Sequence, residues 1–136
     1  MKQIILLTGS NGFIGRHVCE YFRQKGYYVI GLGRREKSVP EVDEYLKIDL
    51  ESEEISNYIP KEKIAAVIHL AADMRREPNC VEVVRANCTG EQRLLEFCEK
   101  NSINTFLQLS SLPVIGSPKI LPIKEDHPIC PPSVYH

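Results

Sequence analysis

Charge of one sign is what this chain most lacks. Its 17 basic residues stand against 18 acidic ones, so no field suited to nucleic acid or to a strongly acidic partner is built in. No C-x-x-C pair or other metal-ligand spacing occurs among Cys19, Cys80, Cys88, Cys98 and Cys130. An odd, scattered set of that kind reads as reduced core thiols in a cytoplasmic protein, with no metal centre. Long apolar runs are missing too. The first one, Ile4 to Leu7, gives way at once to Thr8-Gly9, which is too short for a secretory leader, and nothing later has the length of a bilayer span. Internal repeats and low-complexity tracts are absent, and 136 residues suit one domain with a real core.

What is present centres on Thr8 to Arg16, Thr-Gly-Ser-Asn-Gly-Phe-Ile-Gly-Arg. The apolar run that enters it reads as a buried parallel strand, and the segment that leaves it, Ile14 to Lys25, as an amphipathic helix. Gly9, Gly12 and Gly15 stand at a G-x-x-G-x-x-G spacing. Gly9 permits a tight turn out of the strand, Gly12 removes the Cβ that would keep backbone from a pyrophosphate, and Gly15 lets the helix lie close on the sheet. The helix start then offers unpaired N–H groups to a phosphate. This pattern predicts a dinucleotide site.

Taken in order, the helix should cap at Gly26 and bury Ile14, Val18, Tyr21 and Phe22. Tyr27 to Leu32 is a second strand, followed by a polar loop through Gly33 to Lys37 with Pro40 beyond it. Tyr45 to Ile48 is a short third strand, and Ser52 to Tyr58 a short helix before Pro60. Ala65 to Ile68 is a fourth strand. One long helix is expected from about Pro78 to Lys100, with Val83, Asn87, Gly90, Leu94 and Phe97 on one face and Val84, Cys88, Leu95 and Cys98 beside it. Thr105 to Leu109 is a fifth strand. Beyond Ser110 six prolines impose loop. Alternating strands and helices mean an α/β fold, a Rossmann-like doubly wound parallel sheet in the order 3-2-1-4-5. Residues 1–111 form the cofactor-binding core and residues 112–136 a proline-rich segment.

The ligand belongs at the carboxyl ends of the strands. After the second strand, an NAD-specific protein offers a carboxylate to the ribose 2′-OH. Here that place holds Gly33, followed by Arg34 and Arg35. Two guanidiniums without the carboxylate suit a 2′-phosphate, which favours NADP over NAD, although the neighbouring Glu36 could neutralise one of them.

T-G-S-N-G-F-I-G is similar to the T-G-x-x-G-[FY]-[IL]-G fingerprint of the extended short-chain dehydrogenase/reductase family, whose members include nucleotide-sugar epimerases and dehydratases. The resemblance runs from about Ile4 to Tyr135 and keeps the family's order of motifs. It implies cofactor contacts from Gly9, Asn11, Gly12, Phe13, Ile14 and Gly15. By the same resemblance Asp49-Leu50 holds the adenine, and Leu70, Ala71 and Ala72 of H-L-A-A run beneath the cofactor. Asn87 braces the neighbouring strand ends. His69 itself reads as a packed, hydrogen-bonded residue rather than a catalytic one. Ser110-Ser111-Leu112-Pro113-Val114-Ile115-Gly116 resembles S-S-x-x-V-Y-G, with Ile115 in place of the tyrosine. That makes Ser111 the hydroxyl facing the reacting oxygen and Tyr135 the general acid/base of Y-x-x-x-K.

The lysine of that pair would fall beyond His136, and the sixth strand with it. The expectation is therefore the cofactor-binding portion of a longer enzyme acting on a nucleotide-sugar, without turnover of its own. A carbonyl reductase of the same fold and a non-catalytic dinucleotide sensor remain alternatives. With the outer neighbour of the fifth strand missing, a homo-oligomer joined through the long helix or that strand is expected.

Overall fold

Ile4–Thr8 forms the first strand, β1, and every one of its residues is buried. Period-two alternation sends Ile4 and Leu6 to one face, with Ile30, Leu32, Val67, Leu94 and Phe97. Ile5 and Leu7 go to the other face, with Val29, Ile68 and Cys19. A strand buried on both faces has to be central, and β1 is. The computed structural model describes residues 2–36, 39–52, 55–59, 64–74 and 80–136. Its remaining strands are β2 (Tyr28–Gly33), β3 (Glu44–Lys47), β4 (Ile64–His69) and β5 (Phe106–Gln108). They pair in the expected order, β3-β2-β1-β4-β5, and all pairings are parallel.

Helix α1 spans Phe13–Gln24, and Gly26 adopts a φ of +86° just past its end. The expected apolar face is only half right. Val18 and Phe22 pack inward with the fully buried Cys19, but Ile14 and Tyr21 are 47% and 55% exposed. Gly15 sets the rotation. It is buried at the start of the helix, so the residues three, four and seven places on, Val18, Cys19 and Phe22, turn inward with it. Ile14 and Tyr21 sit one place off that stripe.

The long helix runs from Val81 to Lys100 with one interruption. It comprises α2 (Val81–Val84), a π-helical turn (Arg85–Thr89) and α3 (Gly90–Lys100). Pro78, proposed as its start, lies outside the described residues, as do Lys37, Pro60 and part of the expected helix over 52–58. A 3-10 turn, Ile55–Asn57, occupies the described part of that last stretch. Val83, Gly90, Leu94, Phe97 and Cys98 are buried, and Leu94, Phe97 and Cys98 pack in the core with Ile4, Leu6 and Val67 of the sheet. Burying a leucine such as Leu94 completely is worth about 1.5–3 kcal/mol. Val84, Cys88 and Leu95 face outward instead. Cys130 is also exposed, so the expectation of core thiols holds for Cys19 and Cys98 only.

Strand β5 is an edge strand, with Leu107 52% exposed and Leu109 beyond it 48% exposed. After a 3-10 turn at Leu112–Ile115 the proline-rich segment loops out and returns. The Cys130 amide donates to the Val114 carbonyl at 3.0 Å, which closes the loop. No helix among the described residues is long and apolar enough to cross a membrane.

Candidate functional site

The carboxyl ends of β1, β2 and β4 meet at the glycine loop, and each glycine there has its own steric cause. Gly9 turns with φ +70°, and its amide donates to the Leu32 carbonyl at 3.0 Å. A Cβ on it would stand 2.8 Å from the Ala71 nitrogen, so β4 closes over this residue. Gly15 packs on the loop itself, because its Cβ would lie 2.1 Å from the Gly9 carbonyl oxygen. Gly12 differs. It is exposed, and a Cβ there would meet only the Gly9 oxygen, at 3.1 Å. The open side of the loop is thus over Gly12, where a ligand backbone can approach.

Gly12 is also the N-cap of α1, and a glycine offers no side chain to the first-turn amides. The first turn carries no acidic residue either. The amides of Phe13 and Ile14 therefore receive nothing from the cap, at the positive end of the helix. Phe13 is 76% exposed beside them, edge-on to His17, with the Arg16 guanidinium 5.8 Å from its ring centre.

Across the switch point, Thr8 and His69 form a buried pair. The Thr8 hydroxyl accepts from the amides of Leu70 at 3.2 Å and Ala71 at 3.1 Å. Both of its lone pairs are then used, so its proton goes to His69 Nδ1, 2.6 Å away. That assigns neutral His69 with its proton on Nε2. Burial also pushes the imidazole below its ordinary value of about 6.5. His69 thus sits at the end of β4 as a buried, hydrogen-bonded residue, with its ring 6.3 Å from that of Phe106.

Asn87 grips the next stretch from the helix side. Its Oδ1 accepts from the Asp73 amide at 2.7 Å, and its Nδ2 donates to the Asp73 carbonyl at 3.1 Å. Asn87 sits in the π-helical turn, where π turns recur at functional sites. Asp49 opens a turn whose amides it holds: Oδ1 accepts from Glu51 and its carbonyl from Ser52. Leu50 packs close to Gly90, whose Cβ would be 3.3 Å from Leu50 Cβ.

At the tip of β2, Arg34 and Arg35 are exposed. Glu36 pairs with Lys47 of β3, so the carboxylate that adjoins the two arginines in sequence is engaged elsewhere. Ser111 begins the 3-10 turn through its carbonyl, which accepts from Val114 at 3.0 Å, and its hydroxyl makes no capping bond. Tyr135 is half-buried, with its ring edge-on to His136 at 5.0 Å. The two proposed catalytic residues thus lie at the two ends of the proline-rich segment, each with its own local partners.

A second cleft, of about 510 Å³, opens at the amino ends of the strands between Lys2, Arg23, Tyr27 and Glu41. Arg23 there is taken up by Asp43 at 3.2 Å and the Pro40 carbonyl at 2.9 Å. It lies at the wrong end of the sheet for a ligand held by the glycine loop.

The model of the NAD dependent epimerase/dehydratase family matches residues 5–136. The chain belongs to that family. Among curated relatives, it is 28% identical to the UDP-glucose 4-epimerase of Drosophila melanogaster, over 91% of this chain and 41% of that one. It is 30% identical to the enzyme of the same name from Bacillus subtilis, over 92% and 41%. A short-chain dehydrogenase/reductase superfamily protein from Agrobacterium tumefaciens, solved with bound NAD, superposes with a TM-score of 0.85 at 33% identity, covering 98% of this chain and 40% of that one. A UDP-galactose 4-epimerase gives 0.81 at 26% identity, over 98% and 46%. The chain spans less than half the length of these relatives.

Some residues around this candidate site were not named as site residues from the sequence. Thr8 reads as the first residue of the glycine stretch, and only the pairing of β1 with β4 reveals its three partners. Ser10 is fully buried beneath Gly31, whose Cβ would stand 2.6 Å from the Ser10 hydroxyl. Tyr45 reaches the tip of β2 from β3. In both cases a glycine of β2 makes room for the polar side chain, and the glycines of Tyr28–Gly33 are the signal that would have pointed to them.

The His69 arrangement predicts a pH dependence. A lowered folded-state value means that the unfolded chain takes up the proton first as pH falls. The contribution of neutral His69 is complete above about pH 6.5 and is lost below it, by up to about 1.4 kcal/mol per pH unit. Urea midpoints between pH 7.5 and 5.5 should fall in the wild type and fall less in His69→Asn. Parallel profiles would show that His69 titrates alike in both states.

Proposed function

We propose that this chain is the NAD(P)-binding portion of an oxidoreductase of the epimerase/dehydratase type that acts on a nucleotide-sugar. The observation that carries the reading is the α1 start, an uncapped positive helix end beside an exposed Gly12 at the sheet's switch point. The pyrophosphate would lie over Gly12 and accept from the amides of Phe13 and Ile14, with Gly9, Asn11 and Gly15 shaping the loop. Leu70, Ala71 and Ala72 would pass under the nicotinamide half, with Asn87 bracing them. Asp49 and Leu50 would flank the adenine. Bound there, the nicotinamide supplies hydride transfer. Ser111 would orient the reacting oxygen, and the Tyr135 phenol would move its proton.

For the cofactor we infer NADP over NAD. Gly33 offers no carboxylate to a 2′-OH, and among the described residues neither Arg34 nor Arg35 forms an ion pair, since Glu36 is held by Lys47. Changing both arginines to alanine should weaken NADPH by about 1.5–3 kcal/mol for each well-formed contact and leave NADH nearly unchanged. Calorimetric titration of both cofactors decides it, and equal losses would remove the case for NADP. Self-association is part of the same reading, because Val81, Val84 and Leu95 on the long helix and Leu107 on the β5 edge strand are all exposed apolar residues. Light scattering that finds a clean monomer at high concentration would count against it.

A further inference from the structure

At the tip of β2, a tyrosine from the neighbouring strand β3 lies against Gly33. Tyr45 OH would stand 2.8 Å from a Cβ on Gly33, whereas the ring carbons Cε2 and Cζ would be 3.6 Å away. Only the hydroxyl is in the way. It donates to the Arg35 carbonyl at 3.1 Å and receives a longer contact, 3.4 Å, from Asn11 Nδ2 in the glycine loop. Lys47, opposite Gly33 in the β2–β3 register, pairs with Glu36. Two ties from β3 therefore set the path of Arg34 to Glu36, one through the Arg35 backbone and one through the Glu36 side chain.

We infer that Tyr45 is a specificity-determining residue for the cofactor, an inference that rests on the dinucleotide reading above. Its hydroxyl occupies the place of the side chain that residue 33 would need in order to meet a ribose 2′-OH. It also holds the Arg35 backbone so that the arginine pair brackets the same point. NAD and NADP differ at that point alone, by one phosphate. Burial raises the Tyr45 phenol above its ordinary range, so it stays a donor throughout the neutral range. A carboxylate side chain at position 33 therefore meets the Tyr45 hydroxyl first, and it reaches the ribose only by turning that hydroxyl away from the Arg35 carbonyl and Asn11. The exclusion of that carboxylate thus comes from β3, a strand on which no ribose contact was expected.

The test is a mutant cycle read by NADPH and NADH titration of the purified chain, with circular dichroism to confirm folding. Gly33→Asp alone should weaken NADPH about tenfold while NADH gains little, because Tyr45 still blocks the new side chain. Gly33→Asp with Tyr45→Phe removes only the blocking oxygen, and NADH should bind about tenfold tighter than in the single variant. Tyr45→Phe by itself keeps the ring and the core, so it remains informative if the aspartate variants fail to fold. It should weaken NADPH several-fold and spare NADH. A full NADH gain from Gly33→Asp alone, no gain in the double variant, or equal losses of both cofactors in Tyr45→Phe would each overturn the inference. Wild-type protein that binds neither dinucleotide would instead overturn the reading on which it rests, and the inference with it.

Discussion

Gly15→Ala is expected to destabilise the chain by about 3 kcal/mol, while Gly12→Ala, a change at the N-cap, costs about 1 kcal/mol or less. The two glycines are three residues apart, and both match the same motif. They differ in what a methyl group would meet. At Gly15 the Cβ would be 2.1 Å from the Gly9 carbonyl oxygen and 2.9 Å from Ser10 Cα, all backbone atoms of a loop already tied to Leu32. Nothing flexible is there to move aside, so α1 would have to lift from the loop and pull Cys19 and Phe22 partly out of the core. At Gly12 the nearest atom is 3.1 Å away and solvent lies beyond it. The cost there should fall on binding: Gly12→Val should abolish most dinucleotide affinity in a folded protein. Urea melts and calorimetric titration separate the two effects. If Gly15→Ala is as stable as the wild type, α1 does not rest on the glycine loop as described. If Gly12→Val binds normally, the phosphates lie elsewhere.

The second large effect is expected at Thr8. Thr8→Val keeps the shape and deletes a hydroxyl that accepts two amides and donates to His69. Leu70 N–H retains the Thr8 carbonyl at 3.3 Å, but the Ala71 amide and His69 Nδ1 lose the partners shown here. Thr8 and His69 are buried, and each orphaned polar group costs about 1–3 kcal/mol, so a loss of about 3 kcal/mol is expected. Thr8→Ser, which keeps the hydroxyl, should recover most of it. Equal losses in the two variants would mean that the methyl packing matters and the hydrogen bonds do not. Nitrogen NMR of the wild type should find the His69 proton on Nε2.

Much of this architecture was legible because single residues carry single constraints. Four apolar residues before a glycine turn read as a central strand, and β1 is buried on both faces. The strand order followed from the right-handed crossover rule together with the doubly wound arrangement. What stayed hidden depends on rotation and reach. The α1 stripe was misplaced by one position because its face is set by the contact between Gly15 and Gly9, which periodicity does not register. The π turn at Arg85–Thr89 is invisible to a 3.6-residue pattern, so the long helix read as continuous. Asn87 was expected to brace strand ends, yet its two-bond grip on Asp73 is a matter of geometry that no spacing encodes. Tyr45 lay in a short strand whose half-buried residues show no clear alternation. Glu36 was read as a neighbour of the arginines, but Lys47 lies across the β2–β3 pair, and strand pairing decides which one it meets.

Gly9 has a consequence for how fast a ligand arrives and leaves. Its amide is fastened to Leu32 on one side, and its Cα sits under Ala71 on the other, with Gly15 wedged against its carbonyl. A loop fixed at three points is expected to keep one form at Gly9. Binding should therefore proceed in one kinetic phase, with a rate linear in cofactor concentration and no plateau set by a loop opening. Differences in affinity between cofactors should then appear in their residence times, with association rates nearly the same for both.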